Sequence, residues 1–391
     1  MRNNERLLKS HGCSSHSNLG KNGIRVKQLL TIQTRSIPNT KNLTMLKSLK
    51  IKNFTVFANT WIEFSSGFNI IIGENATGKS HLLGLGYSVM RSLYQVTRDN
   101  VKQLQIQLED KLEGVFKPDN LSHLCRHPLS SQPAQIIVNM TDEVGHIQFS
   151  FVLHDNEIKV DNLPSHFPKQ APLFFPTQEV LTLQPTFTAL YENRYLPLSE
   201  TYYDLCKAFN LPLIKKPPPT LQEIIKPLEK ELGGVVIIDK SGRFYLDIPK
   251  KGKIEISLIA EGYRKIAMLV YLILNGSLGK GSTLFWDEAE ANLNPKTRVK
   301  VINALAALVQ NGIQVILSTH DLFLMKQLSL LIETTNMPAR FFSLRPDNDA
   351  ITIEHGNVLE DLQTIVTLEE ELALYDREQN AYYAKKARQR L

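Results

Sequence analysis

Hydrophobic positions fall into strand-length runs in the first half of this chain, a proline-broken helical middle, and strand–helix alternation towards the end. From Leu46 to Ile72 the pattern predicts two or three short strands. Gly67 turns into the last of these, the apolar run Phe68 to Ile72, which reads as a buried strand. A helix is expected over roughly 80–98. Gly84 and Gly86 within it cost about 1 kcal/mol each relative to alanine, which predicts close packing there. Residues 99–130 read as a short helix and loop. Strands are expected from Ala134 to Met140 and from His146 to Leu153, joined by a polar turn at Gly145, and again from Pro172 to Phe175. From Leu181 to Leu232 the period is helical but interrupted by Pro185, Pro197, Pro212 and Pro217-Pro218-Pro219, which predicts a helical insertion or lid. Val235 to Ile238 and Phe244 to Ile248 then flank a hairpin turn. An apolar helix (Ile266 to Leu274), two apolar strands leading to Asp287 and His320, and a charged helix from Thr367 to Leu391 complete the pattern.

Candidate chemistry begins where the buried strand ends. Gly73-Glu74-Asn75-Ala76-Thr77-Gly78-Lys79-Ser80 reads G-x-x-x-x-G-K-S and opens into a helix at Ser80-His81-Leu82-Leu83. This is the strand–loop–helix setting of a phosphate-binding loop. Glycines let the backbone N–H groups converge on a phosphate, and the helix N-terminus adds partial positive charge. Lys79 is expected at the β- and γ-phosphates and the Ser80 hydroxyl on Mg²⁺. A chance match in a chain of this length is on the order of a one per cent event, given glycine near 7% of residues.

Three further segments follow. Thr283-Leu284-Phe285-Trp286-Asp287-Glu288 is an apolar strand ending in two carboxylates, with Asp287 expected on Mg²⁺ and Glu288 expected to polarise the attacking water. By itself such a pair is ordinarily a solvated strand end; after a phosphate loop it is more specific. Val315-Ile316-Leu317-Ser318-Thr319-His320-Asp321 is another apolar strand, placing His320 to sense the γ-phosphate. Ser257-Leu258-Ile259-Ala260-Glu261-Gly262-Tyr263-Arg264-Lys265 precedes the apolar helix, so Glu261 and Gly262 mark a second phosphate-contacting helix N-terminus.

Composition narrows the classes. The chain has 391 residues, 42% hydrophobic, enough for one large α/β domain with insertions or for two domains. No apolar run reaches membrane-spanning length, so no membrane insertion is expected. Three scattered cysteines, Cys13, Cys125 and Cys206, form neither a disulfide framework nor a zinc site and suit a reducing, cytoplasmic setting. The net charge of +6 resides in the tail: residues 1–45 carry eight Lys/Arg against Glu5, leaving the remainder near −1. That tail reads as disordered or as lying before a true start at Met45; a transit peptide is the less favoured reading.

Taken in order, these motifs resemble the ABC-type ATPases, in the AAA-family branch that holds SMC/RecF-like and OLD-like proteins. Gly73-Glu74-Asn75, the long insertion and Glu288-Ala289-Glu290-Ala291-Asn292-Leu293-Asn294-Pro295 carry the likeness. The resemblance covers residues 46–80 and about 257–325. It implies an α/β P-loop NTPase fold: an ABC-type ATPase head with a mixed central sheet, antiparallel N-terminal strands and a helical insertion. Residues 46–180 would form the N-terminal half of the ATPase core, 181–256 the insertion and hairpin, and 257–391 the C-terminal half. The implied cofactors are ATP and Mg²⁺. Gln178 is the position matched to the glutamine that helps hold Mg²⁺. Two copies would sandwich two nucleotides head to tail, the signature helix of one completing the site of the other. Ala260 stands where the family signature has serine, Ala289 where it has proline and Asn294 where it has histidine.

The resemblance further implies a switch acting on DNA, or controlling a separate effector such as a nuclease, in genome maintenance or in defence against phage or plasmids. The stretch after His320 reads as too short for the nuclease domain of OLD enzymes, and no long heptad coiled coil is evident. Two alternatives stay open: an ATP-binding subunit of a membrane transporter, and a regulatory ATP-binding switch with negligible turnover, which Ala260 favours.

Overall fold

The computed structural model describes residues 43–96, 100–126, 132–141, 145–152, 157–193, 196–348 and 350–388. Of the basic tail expected over 1–45, residues up to 42 lie outside this range. Met45 lies within it and is fully buried, its amide donating to the Thr141 hydroxyl and its carbonyl accepting from the Thr141 amide.

The chain opens with β1 (Leu46–Phe54), β2 (Phe57–Glu63) and β3 (Phe68–Gly73), then α1 (Lys79–Gln95) and α2 (Val101–Phe116). Helix α2 is a correction: sixteen residues stand where a short helix and loop were expected. Its core positions Leu104, Leu108, Lys111 and Leu112 do keep a helical period, and Asn100 caps it by accepting from the Gln103 amide at 3.1 Å. The polar residues between those positions masked the pattern. Next come β4 (Gln135–Met140), β5 (His146–Val152), β6 (Glu157–Asn162) and β7 (Leu173–Phe175). Strand β6 was not expected; its six residues bury only Ile158 and Val160, too few for a periodic signal. Most of the turn expected at Gly145, residues 142–144, lies outside the described range.

The middle segment holds α3 (Thr186–Asn193), α4 (Glu200–Phe209) and α5 (Pro219–Leu232), followed by β8 (Val235–Ile238), β9 (Phe244–Ile248) and β10 (Gly252–Glu255). The expected hairpin is thus the larger part of a three-stranded antiparallel sheet. The remainder is α6 (Glu261–Leu274), β11 (Thr283–Trp286), α7 (Pro295–Gln310), β12 (Gln314–Ser318), α8 (Leu322–Thr335), β13 (Ala339–Asp347), β14 (Ala350–Gly356) and α9 (Val366–Arg388).

Two larger sheets organise these elements. An antiparallel sheet runs β2-β1-β4-β5-β6, and a mixed sheet runs β14-β13-β3-β12-β11-β7, in which all neighbours are parallel except the β13–β14 pair. The fold is therefore the α/β architecture with a mixed central sheet. Strands β3, β11 and β12 are buried along almost their whole length, as expected where both faces of a parallel sheet are covered. Parallel register gathers the carboxyl ends of β3, β12, β11 and β7 at one edge, where open α/β sheets place their ligands.

Helix α1 packs tightly enough to need its glycines: a Cβ at Gly86 would sit 3.0 Å from the Phe285 ring, and one at Gly84 3.2 Å from Phe116. Buried Gln314 joins the two large sheets, its amide donating to the Leu46 and Ser65 carbonyls while its oxygen accepts from the Leu46 amide. Helix α4 is held to α1 and α2 by a buried charged cluster. Lys111 donates to Glu200 at 2.7 Å and Asp204 at 2.8 Å, and Asp204 also accepts from the Tyr87 hydroxyl at 2.7 Å.

Candidate functional site

The loop between β3 and α1 has the backbone that its glycines predict. Gly78 caps α1 in the left-handed region (φ 89°), and a Cβ there would meet Val56 at 2.5 Å. Only glycine fits so tight an approach with that backbone. The Thr77 hydroxyl donates to the Glu74 carbonyl, bracing the turn. Lys79 is almost fully buried, and its ammonium donates to the Gly73 and Glu74 carbonyls at 2.9 and 2.7 Å. Burial holds that ammonium below the ordinary lysine value, opposed by the nearby carboxylates Asp287, Glu288, Glu290 and Glu74. Glu74, Asn75, Ala76 and Ser80 are exposed along the loop and the start of α1. His81 is exposed, its ring lies edge-on to Phe116, and partial desolvation lowers its pKa against the pull of Asp287.

The carboxylate strand ends beside this loop. The Asp287 amide donates to the Phe175 carbonyl, and the Asp287 carboxylate accepts from the Ser318 hydroxyl at 2.5 Å. That same hydroxyl oxygen accepts from the Glu288 amide at 2.9 Å. One serine on β12 thus holds the Asp287 carboxylate and the Glu288 backbone at the end of β11. Glu288 takes a left-handed backbone (φ 49°), an uncommon conformation for a residue with a side chain and one often found at functional sites. His320, 54% exposed at its side chain, is oriented by Glu290: its backbone amide donates to the buried carboxylate at 2.9 Å, and Nδ1 lies 3.1 Å from the same oxygen.

Gln178 lies three residues beyond β7, the strand beside β11, and is exposed. Its backbone is hydrogen-bonded to Tyr202 of α4, whose phenol is pushed up by burial and by Asp287. The structure therefore brings the phosphate loop, His81, Asp287, Glu288 and the neighbourhood of Gln178 together, with His320 on the adjoining strand end.

Glu261 and Gly262 open α6 from the other side of the carboxylate segment. A Cβ at Gly262 would meet the Asn292 carbonyl at 2.4 Å, so the helix start lies directly on the chain that follows Glu288. Lys265, one turn on, donates to the Ala291 carbonyl at 2.9 Å. Ala260 occupies the N-cap with no side-chain cap, and both it and Leu258 (75% exposed) face solvent. Asn294, in the place of the expected histidine, caps α7 by accepting from the Thr297 amide at 3.0 Å. Arg264 of α6 pairs with buried Glu179 at 3.1 Å, tying the helix to the segment after β7.

Sequence reasoning missed three residues near the site. Glu290 orients His320, and its place in Glu288-Ala289-Glu290 was the available signal. Ser318 and Tyr202 carried none, because one is an ordinary strand-end serine and the other sits on α4, far away in the chain.

The residues suit a nucleotide with its magnesium ion. Among the described residues no group of three or more His, Cys, Asp or Glu could hold a metal alone. Mg²⁺ is commonly bound by one or two carboxylates together with substrate phosphates. Ser80 and Asp287 are the side chains available to it, with Gln178 beyond β7.

Comparison with known proteins finds relatives in both sequence and fold. A family profile described as "AAA ATPase domain" matches residues 45–163, and one described as "AAA domain, putative AbiEii toxin, Type IV TA system" matches residues 153–326. A protein of Helicobacter pylori named "ATP/GTP phosphatase" is 28% identical over 125 residues, which is 30% of this chain and 31% of that protein. The DNA replication and repair protein RecF of Pediococcus pentosaceus is 50% identical over 38 residues, 10% of each chain. The chain thus matches at most about a third of the length of these relatives. In fold, it is similar to an SMC head crystallised with the C-terminal winged-helix domain of ScpA (TM-score 0.54, 13% identity, 82% of this chain and 99% of that one). It is also similar to a Pyrococcus furiosus SMC head bound to the ScpA C-terminal domain (TM-score 0.50, 10% identity, 86% and 100%). The phosphate loop, the paired carboxylates and the histidine at one sheet edge thus lie in segments that match AAA ATPase-type profiles, on a fold similar to SMC heads.

Proposed function

We propose that this protein is an ATP-driven switch: it binds ATP, pairs head to tail with a second copy around two nucleotides, and separates after hydrolysis. The observation that carries this reading is the convergence of Lys79, Asp287 and Glu288 at one sheet edge. Lys79 and the loop amides would hold the β- and γ-phosphates. Bound through Ser80 and Asp287, Mg²⁺ would neutralise phosphate charge. Glu288, in its left-handed position, would accept a proton from the attacking water. His320, oriented by Glu290, would hydrogen-bond the γ-phosphate and so report whether it is present.

The α6 N-terminus supports the pairing. Its exposed entry, Leu258 to Ala260, is available to a second molecule, and helix N-termini attract phosphate. By likeness to RecF, and to the profile described as a putative AbiEii toxin, the switch would act on DNA or license an effector protein in genome maintenance or defence. Ala260 favours a second reading, an ATP sensor with very slow turnover: its methyl group supplies no hydroxyl to a γ-phosphate.

ATP hydrolysis and light scattering, each with and without DNA, test the proposal on the wild type, Lys79→Ala and Glu288→Gln. Lys79→Ala is expected to lose nucleotide binding, and Glu288→Gln to accumulate an ATP-bound dimer. A Glu288→Gln protein that hydrolyses ATP at the wild-type rate would overturn the assignment of the water-polarising carboxylate. ATP binding without turnover in the wild type would select the sensor.

A further inference from the structure

Helix α9 stands apart from the other helices of the described residues. Its first turn is anchored: the Thr367 hydroxyl donates to the His320 carbonyl at 3.0 Å. From Glu369 to Lys386 every side chain is exposed except Ala373 and Gln379, which are half-buried. Twenty-three residues span about 35 Å at 1.5 Å per residue, so most of this helix runs free of the body. It nevertheless exposes large apolar side chains: Leu372 57%, Tyr375 57% and Tyr382 57%.

Those three residues belong to one stripe. Leu368, Leu372, Tyr375, Gln379, Tyr382 and Lys386 follow one another at alternating steps of four and three, the seam of a two-helix coil. Leu374 and Tyr383 (63% exposed) lie outside the stripe. Charge along α9 is polarised: Glu369, Glu370 and Glu371 mark its start, Lys385 and Lys386 its end. Among the described residues the ion pair within α9 is the long Arg377–Glu370 contact at 3.9 Å, and Glu371 and Lys385 lie exposed along the helix.

We infer that α9 is a docking helix for the α9 of a second copy of this chain, packed antiparallel. Antiparallel alignment opposes Leu372 to the partner's Tyr382 and Tyr375 to the partner's Gln379, while each acidic start meets a basic end. Parallel alignment would stack acid on acid and base on base, so charge selects the orientation and makes the surface self-complementary, as a twofold interface requires. An exposed amphipathic helix gains little stability alone, and burying the stripe removes the apolar surface it leaves in water. Because α9 starts on the His320 carbonyl, this contact would join two copies directly behind the strand that carries the histidine. It needs no nucleotide, which distinguishes it from the ATP-sandwiched pairing proposed above.

Sedimentation equilibrium of the full chain in EDTA, freed of nucleotide, tests the inference. The expected result is a dimer at micromolar concentrations, whose dissociation constant rises at least tenfold in Leu372→Glu and in Tyr382→Glu. Far-UV circular dichroism checks that both variants remain folded. Lys385→Glu is expected to weaken the dimer and Glu371→Lys in the same chain to restore it. Carbodiimide treatment of mixed isotope-labelled and unlabelled chains should join Glu371 of one copy to Lys385 of the other. A nucleotide-free monomer, a dimer indifferent to these substitutions, or links between like positions would overturn the inference. Lys79→Ala separates it from the functional reading: that variant loses the ATP-dependent pair and keeps the α9 pair.

Discussion

Two helix N-termini of this molecule invite comparison. Helix α1 starts inside a loop that its own chain completes: Gly78 is left-handed, Thr77 braces the turn and Lys79 lies buried across the Gly73 and Glu74 carbonyls. Helix α6 starts at Ala260, with extended backbone, no side-chain cap and a solvent-facing approach through Leu258. Both would offer partial positive charge to phosphate. The first has a lysine and two carboxylates gathered around it; the second is pressed by Gly262 onto the Asn292 carbonyl and leaves its outer face bare. The contrast teaches that a helix end becomes a binding site through what surrounds it. Only the α1 start has such surroundings within a single chain.

The largest expected effect breaks the furnished side. Glu288→Gln should lower ATP turnover by about 100- to 10,000-fold, the range for loss of a general base, with nucleotide binding retained. Single-turnover hydrolysis and filter binding check both halves of that statement.

A somewhat smaller effect concerns what holds the furnished side in shape. Lys111→Met leaves Asp204 buried with its principal cation gone, and should destabilise the fold by about 3–5 kcal/mol in urea unfolding. Arg91, 3.6 Å from Asp204, offsets part of that loss. If α4 loosens, Tyr202 moves with it, so the variant is also expected to raise the Mg²⁺ concentration needed for half-maximal turnover.

Gly262→Ala probes the other helix start. Its new methyl group meets a backbone carbonyl rather than a flexible side chain, so a cost of about 1–3 kcal/mol is expected. The displaced helix should weaken ATP-dependent dimerisation while binding at the phosphate loop persists, measured by light scattering against equilibrium dialysis.

The smallest effect sharpens the contrast. Ala260→Ser supplies the missing cap and should stabilise α6 by about 1 kcal/mol. It is also expected to tighten the ATP-dependent dimer, because the new hydroxyl lies at the helix start proposed to meet the partner's nucleotide. Thermal unfolding and nucleotide-dependent light scattering report these separately.

Much of the candidate phosphate loop was legible because its signals are local. Gly73 to Ser80 is one contiguous loop, and an all-buried strand such as β3 or β12 reads as an unbroken apolar run. The weaker readings have physical causes. Helix α2 hid its core stripe among polar residues, and β6 buries only two side chains. Tyr202 is Asp287's neighbour only because the Tyr87–Lys111–Asp204 cluster seats α4 against α1 and α2.

By itself the sequence determined the chemical alphabet of the site: a glycine-rich loop with its lysine, a strand ending in two acids, a strand ending in histidine, and a glycine at a second helix start. Each depends on residues adjacent in the chain, where backbone preference and side-chain type act over a few bonds. Tertiary structure alone decided that Ser318 holds the Asp287 carboxylate and the Glu288 amide, that Glu290 orients His320, that Gly262 lies on Asn292 and that α9 stands off the body with its apolar stripe exposed. These facts join residues on separate elements, and only the packing of parallel strands and their crossover helices sets which ends meet.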